Sequence, residues 1–408
     1  MTRRIHVDEL QVGMFVKRIE GGWLNHPFWR GSLLVRELDD IRRLRAAGVE
    51  FLEIDATRAL HAPATPEVTP SPAPADTPAG APAVVRRTTV PVEQEMQRAH
   101  ALRAEAGRQM KQLFQDARLG RVVDVAATRP LVDEIFASME RHPAALISLM
   151  RLKTADDYSY LHSVSVAALM MALARRLGMD DAACRDAALG GLLHDLGKAA
   201  IPLDVLNKPG KLEPEEFTLV KTHPVRGHEL LREAGVEHAV ALDVCLHHHE
   251  KIDGSGYPKG LPGAEITLLA KMGAVCDVYD AVTSNRPYKL GWAPVDALRR
   301  MLTWAGHFEP QVMRAFVSVV GIYPIGAMVR LASGRLAVVV EQAPGELTKP
   351  VVKAFFSTRS NLHIPPETLR LAQPGCKDHI VGHEDPHTWG FEHVDELWSG
   401  VPRPKGPL

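Results

Sequence analysis

The chain is 408 residues long, 46% hydrophobic, and carries 48 Lys and Arg against 49 Asp and Glu. That length supports about two or three folded units, and the balanced charge excludes a global field for DNA, RNA or an anionic membrane, so phosphate recognition has to be local. The four cysteines, Cys184, Cys245, Cys276 and Cys376, form no CxxC pair, which argues against a disulfide framework or a thiolate zinc site and for a reducing compartment.

The opening MTRRIHVDELQVGM has no signal-peptide core, and the most apolar run, Val164 to Ala174, is too short to span a bilayer. A soluble, cytoplasmic protein without membrane insertion is expected. Residues 1–60 read as a small α/β unit, with strands at Phe15 to Ile19 and Phe51 to Ile54 and a helical pattern from Leu38 to Ala47 that stops at Gly48. Its aromatic residues Trp23, Phe28 and Trp29 read as core, with a binding patch as the alternative. Residues 61–92, opening HAPATPEVTPSPAPADTPAGAP, are an Ala/Pro/Thr-rich linker that cannot bury enough surface to fold.

Residues 93–129 form a connecting helix, with Met96, Ala99, Leu102, Ala106, Met110, Leu113 and Ala117 in one stripe at three- and four-residue steps. The stripe either packs on its own domain or pairs two chains in a homodimer; Arg103 and the abundance of Ala interrupt a heptad. Residues 130–325 are almost wholly helical by pattern, including Leu131 to Arg141, Ser159 to Leu177, Ala182 to Leu193, Pro214 to Ala234 and Leu268 to Ser284. Residues 326–408 switch to strand alternation, with MVRLA and RLAVVVE flanking Ser333 and Gly334 as a hairpin. The fold class is mainly α, with a small α/β unit before the helical domain and a β-rich module after it.

The helical domain carries His162, then His194, Asp195 and Lys198 in HDLGK, then His223, the run HHHE ending at Glu250, and Asp277. Each alone is unremarkable, since a single His at a helix end is usually a hydrogen-bonded core residue. Together, imidazole and carboxylate without cysteine suit divalent iron, manganese, cobalt, nickel or zinc at a catalytic site. Five histidines and two aspartates exceed the needs of one ion, so a pair of ions sharing a carboxylate, an arrangement suited to phosphoester displacement, is the economical reading.

The words YSYLHSVSVA, LLHDLGKAAIP, LNKPGKL, HPVRGHELL, HHEKIDGSGYPKGLPG and AVCDVYDAVTSNRPY occur in this order over about residues 150 to 325. They resemble the HD-GYP branch of the HD phosphohydrolase superfamily, whose catalytic domain is all-helical. VDELQVGMFV, GWLNHPFWRG and FLEID similarly resemble the small domain of unknown function that often precedes it. The resemblance implies that His162, His194, Asp195 and Asp277 hold one ion and that Asp195, His223, His248 and His249 hold the other. Asp195 is then the bridge, and a water or hydroxide between the ions is the expected nucleophile. The family words set the register on His248 and His249, leaving His247 behind them and His228 and His238 as surface or capping residues.

Lys198 is expected to steady the attacked phosphate or the hydroxide, on the same face as His194 if the helix continues. Arg286 and Lys289 resemble the family's phosphate-contacting cations, and the resemblance implies that the Gly256 to Pro258 loop, with Tyr257 as a substrate-binding residue, serves substrate access and contact with GGDEF-domain proteins by loop positioning rather than direct chemistry. Some members place a Glu four residues before the first ligand His and bind a third ion; here Tyr158 stands there, which favours a binuclear centre of iron or manganese. The expected reaction is hydrolysis of cyclic di-GMP to pGpG and onward to GMP. The alternatives are another cyclic dinucleotide or phosphoester as substrate, or a non-catalytic metal-containing nucleotide sensor or GGDEF-binding scaffold.

Overall fold

The structure, a computed structural model, describes residues 2–11, 14–19, 33–35, 41, 51–55, 90–151, 158–284, 291–343, 345–391 and 393–399. The helical pattern at Leu38 to Ala47 apart from the buried, helical Ile41, the aromatics Trp23, Phe28 and Trp29, the linker to residue 89, Arg286, Lys289 and the side chain of Tyr158 lie outside them. The chain divides into two compact units, Met1–Val84 and Val85–Leu408.

In the first unit, strands β1 (Thr2–His6), β2 (Phe15–Ile19), β3 (Leu33–Leu34) and β4 (Phe51–Asp55) form an antiparallel sheet in the order β1-β4-β2-β3. Strand β1 was not anticipated, because TRRIH offers a single apolar residue; its Ile5 pairs opposite Leu52 and enters the core with Val16 and Ile54.

The second unit opens with α1 (Val92–Arg118), followed by α2 (Arg129–Arg141), α3 (Pro143–Leu149), α4 (Tyr158–Arg176) and α5 (Asp181–Leu193). The whole α1 stripe from Met96 to Ala117 is buried against this unit, where α1 packs on α3 and α4. Each fully buried Leu or Met contributes about 1.5–3 kcal/mol over exposure, so the stripe is taken up by its own core and is not a surface for a second chain. Glu95, fully buried, accepts hydrogen bonds from Ser138 and Arg141 and locks α1 onto α2.

A 3-10 segment, Leu196–Ala200, follows α5, and then come α6 (Leu203–Leu206), α7 (Pro214–Val220), α8 (His223–Glu233), α9 (Ala239–His247), α10 (Leu268–Thr283), α11 (Pro294–Thr303) and α12 (Pro310–Val320). The single helix expected from Pro214 to Ala234 is thus two. Pro224 at the second position of α8 has no N–H to offer a preceding turn, and that favours a fresh helix start, which places His223 at its N-terminus.

Strands β5 (Met328–Leu331), β6 (Arg335–Ala343), β7 (Glu346–Ser357), β8 (Leu362–Arg370) and β9 (Ile380–His383) make an antiparallel sheet ordered β8-β7-β6-β5-β9. The anticipated hairpin forms, with Met328 opposite Val338 and Arg330 opposite Leu336. Leu336, Val338, Val339 and Val352 belong to the same continuous core as the helices, so the sheet and the helical domain bury their apolar faces together. No helix among the described residues is long and apolar enough to cross a membrane.

Candidate metal centre

Five helix ends or turns converge on one buried point. His162 lies in the first turns of α4, His194 and Asp195 follow the last turn of α5, His223 begins α8, His248 and His249 follow α9, and Asp277 sits mid-way along α10. All are buried except His249, which is half-buried. Three overlapping groups, His162/His194/Asp277, His194/Asp195/His248 and His223/His248/His249, each keep their ligand atoms within 4.8 Å of one another. The structure therefore brings together all seven residues named as ligands.

Asp195 is central to this geometry. Its Oδ2 stands 3.5 Å from His162 Nε2 and 3.4 Å from His194 Nε2, while Oδ1 stands 3.3 Å from His223 Nε2 and 3.9 Å from His248 Nε2. Asp277 puts Oδ1 3.0 Å from His162 Nε2 and Oδ2 3.8 Å from His249 Nδ1. The two carboxylates thus each span between imidazoles of different elements.

The imidazole tautomers follow from the outer contacts. His194 Nδ1 donates to Gly191 O at 2.7 Å, His223 Nδ1 to Val220 O at 2.7 Å, and His248 Nδ1 to Val244 O at 3.0 Å. A carbonyl oxygen only accepts, so Nδ1 carries the proton and the neutral ring turns a lone pair on Nε2 toward the centre. His223 Nε2 and His248 Nε2 then face each other at 3.2 Å as two acceptors, and the buried Nε2 of His194 has no hydrogen-bond partner. Orphaned acceptors beside buried carboxylates are the donor set of a divalent cation. The residues present fit such an ion.

Electrostatics agree. Burial works against both carboxylates, but Lys198, His194 and His223 outweigh it at Asp195, and His162, His194 and His249 outweigh it at Asp277, holding both well below the usual carboxylate range. Burial holds His248 well below the usual histidine value and pushes His249 down to about 3. His194 is the exception: burial opposes its protonation, yet Asp195 and Asp277 raise it to about 10, so without an ion its Nε2 carries a second proton and the neutral, lone-pair form is the one that would face a bound cation. Two buried carboxylates demand positive charge, and a bound cation would supply it in place of that proton.

Sequence reasoning missed Asp280. Its Oδ2 accepts from His162 Nδ1 at 2.6 Å and its Oδ1 from the Ser165 hydroxyl, which fixes the His162 tautomer as the carbonyls do for the others. The available signal was its position three residues after Asp277, one turn along the same face of α10. Glu250 was also passed over. Its buried carboxylate accepts from Lys259 N at 2.7 Å and Leu261 N at 3.0 Å and so pins the loop that contains Tyr257. The Tyr257 ring stacks on His249 with centroids 4.6 Å apart, and burial keeps its phenol protonated as a donor.

Lys198 reaches the centre by another route than expected. Helix α5 stops at Leu193, and the 3-10 segment places Lys198 Nζ 2.5 Å from Asp195 Oδ2. In that segment Gly197 passes so close to α8 that a Cβ there would lie 1.9 Å from His223 O, so only glycine fits. His247 bonds Asp243 at 2.8 Å, away from the cluster, and His238 caps α9 by accepting from Ala241 N while bonding Asp186 at 3.0 Å.

Residues 2–128 match the family described as a domain of unknown function (DUF3391), and residues 136–312 match the HD domain. Over 407 residues the chain is 51% identical to a cyclic di-GMP phosphodiesterase of Pseudomonas aeruginosa, a likeness covering 100% of this chain and 98% of that protein. The chain belongs to the HD-GYP family. As an HD-GYP protein it is a metal-dependent phosphohydrolase, and its His/Asp cluster offers ligand groups that could hold a divalent metal. A cyclic di-GMP phosphodiesterase response regulator of Xanthomonas campestris is 39% identical over 42% of this HD-GYP chain and 47% of its own length. A 3'3'-cGAMP-specific phosphodiesterase of Vibrio cholerae is 37% identical over 33% of this chain and 31% of its own.

Proposed function

We propose that this protein hydrolyses cyclic di-GMP to pGpG, and pGpG onward to GMP, at a binuclear centre of iron or manganese. The observation that carries the reading is the orientation of Asp195, whose two carboxylate oxygens face two different histidine sets. His162, His194 and Asp277 would hold one ion; His223, His248 and His249 would hold the other; Asp195 would bridge them. When bound, such a pair lowers the pKa of a coordinated water and clamps the attacking and leaving oxygens of a phosphodiester.

The protein's own groups do the rest. Lys198, held on Asp195, offers an ammonium to a phosphate oxygen at the same edge of the centre. Tyr257, stacked on His249, presents a protonated phenol beside the substrate. Arg286 and Lys289, following Asp277 on the chain, are proposed to meet the second phosphate of the cyclic dinucleotide. Contact with GGDEF-domain proteins through the half-exposed Gly256 to Pro258 loop is supported by the family resemblance. Four free thiols, Cys184, Cys245 and Cys276 among them buried, support a cytoplasmic setting.

The test is product chromatography with the full-length chain, prepared without oxygen and loaded with iron or manganese, on cyclic di-GMP, 3'3'-cGAMP and cyclic di-AMP. Cyclic di-GMP should be consumed fastest, with pGpG appearing before GMP. Preferential cleavage of another dinucleotide would move the substrate assignment, and binding of cyclic di-GMP without cleavage by the loaded protein would make it a sensor.

A further inference from the structure

The last residue of α1, Arg118, reaches a segment 80 residues further along the chain. Its Nη1 donates to Ile201 O at 2.8 Å and its Nη2 to Lys198 O at 3.1 Å. Ile201 follows the last residue of the Leu196–Ala200 segment and Lys198 sits at its middle, so the guanidinium bonds two carbonyls on the C-terminal half of the turn. The planar guanidinium fork suits two carbonyls at once. Lys198 O also accepts from Ile201 N at 3.2 Å, and Lys198 N donates to Asp195 O at 2.9 Å, so the segment is a tight turn between Asp195 and Ile201.

That turn is held on two sides. On one, Gly197 is pressed against the backbone of α8, which presents His223; on the other stands the Arg118 fork. Arg118 itself is half-buried and is not among the residues grouped around the centre.

We propose that Arg118 is a positioning residue that sets Lys198 on Asp195 by clamping the C-terminal half of the Leu196–Ala200 turn. This rests on the role given to Lys198 under the proposed function. Arg118 and Lys198 both belong to the second compact unit, where the buried stripe of α1 fixes the position from which the guanidinium reaches the turn.

The experiment combines a double-mutant cycle with amide exchange, using the full-length, metal-loaded protein. Arg118→Ala should lower kcat about tenfold, the scale of losing charge-assisted hydrogen bonds, with metal content and KM unchanged. Arg118→Lys, which keeps the charge but serves one carbonyl, should recover part of the loss and guards against a folding defect in the alanine variant. In a Lys198→Ala background, Arg118→Ala should cost nothing further.

Amides of residues 196 to 201 should exchange faster in Arg118→Ala, while those of α4 and α10 should not. Multiplying losses in the double variant, unchanged exchange of the turn, or loss of metal from Arg118→Ala would each overturn the proposal. Turnover is followed on cyclic di-GMP and on bis(p-nitrophenyl) phosphate. The exchange readout needs no substrate, so a wrong substrate assignment shows itself separately from a wrong role for Arg118.

Discussion

Asp195→Asn is expected to abolish turnover of cyclic di-GMP while leaving the helical fold intact. The carboxylate offers one oxygen to His162 and His194 and the other to His223 and His248. An amide offers an oxygen to one set only and turns an N–H donor on the other, and it removes the negative charge that draws two cations together. Loss of at least about 100-fold in kcat follows from the scale of comparable electrostatic and metal-site deletions. The variant should retain the far-ultraviolet circular dichroism of the wild type but fall short in metal by elemental analysis. Full metal content together with wild-type turnover would remove Asp195 from the bridging position.

Glu250→Ala should damage activity and stability together. Two backbone donors, Lys259 N and Leu261 N, end on this one buried carboxylate, and its removal leaves both to water or to no partner. Both bonds are part-buried, so each lost bond costs about 0.5–1.5 kcal/mol, the net scale of an intramolecular hydrogen bond. Gly256 packs directly on the backbone that carries Glu250, where a Cβ would stand 2.4 Å from Lys251 N and 2.5 Å from Glu250 Cα, so the loop and Glu250 are closely joined. Tyr257 and, through it, the half-buried His249 lose their support. A fall in kcat/KM of at least about tenfold, with a lowered thermal midpoint, is expected, and Glu250→Gln should be milder because it keeps an acceptor oxygen. Wild-type kcat/KM and midpoint in the alanine variant would show that the loop holds itself.

The sequence made the cluster legible because its ligand-type residues sit in short words at helix ends, and helix ends are written locally by Gly, Pro and capping residues. His223 before Pro224 and the pair His248 and His249 after α9 are such cases. Long-range partners were not written locally. His162 and Asp280 are 118 positions apart, and nothing in either neighbourhood states that one fixes the ring of the other. Lys198 was placed by helical spacing, yet the chain runs there as a 3-10 turn whose Gly197 packs on the backbone of α8, a tertiary contact that local spacing does not state, and the ammonium meets Asp195 from that turn. The apolar stripe of α1 was plain from its spacing, but periodicity alone does not say which surface receives it. The shared core of helices and sheet decides that question.

The central claim, a phosphodiesterase centre built for two ions around Asp195, is tested most directly by titrating metal-free protein with iron or manganese under anaerobic conditions while following cyclic di-GMP hydrolysis. Activity should rise until about two ions per chain are bound and stay level beyond that point. Full activity with one bound ion, or a further rise with a third, would contradict the account.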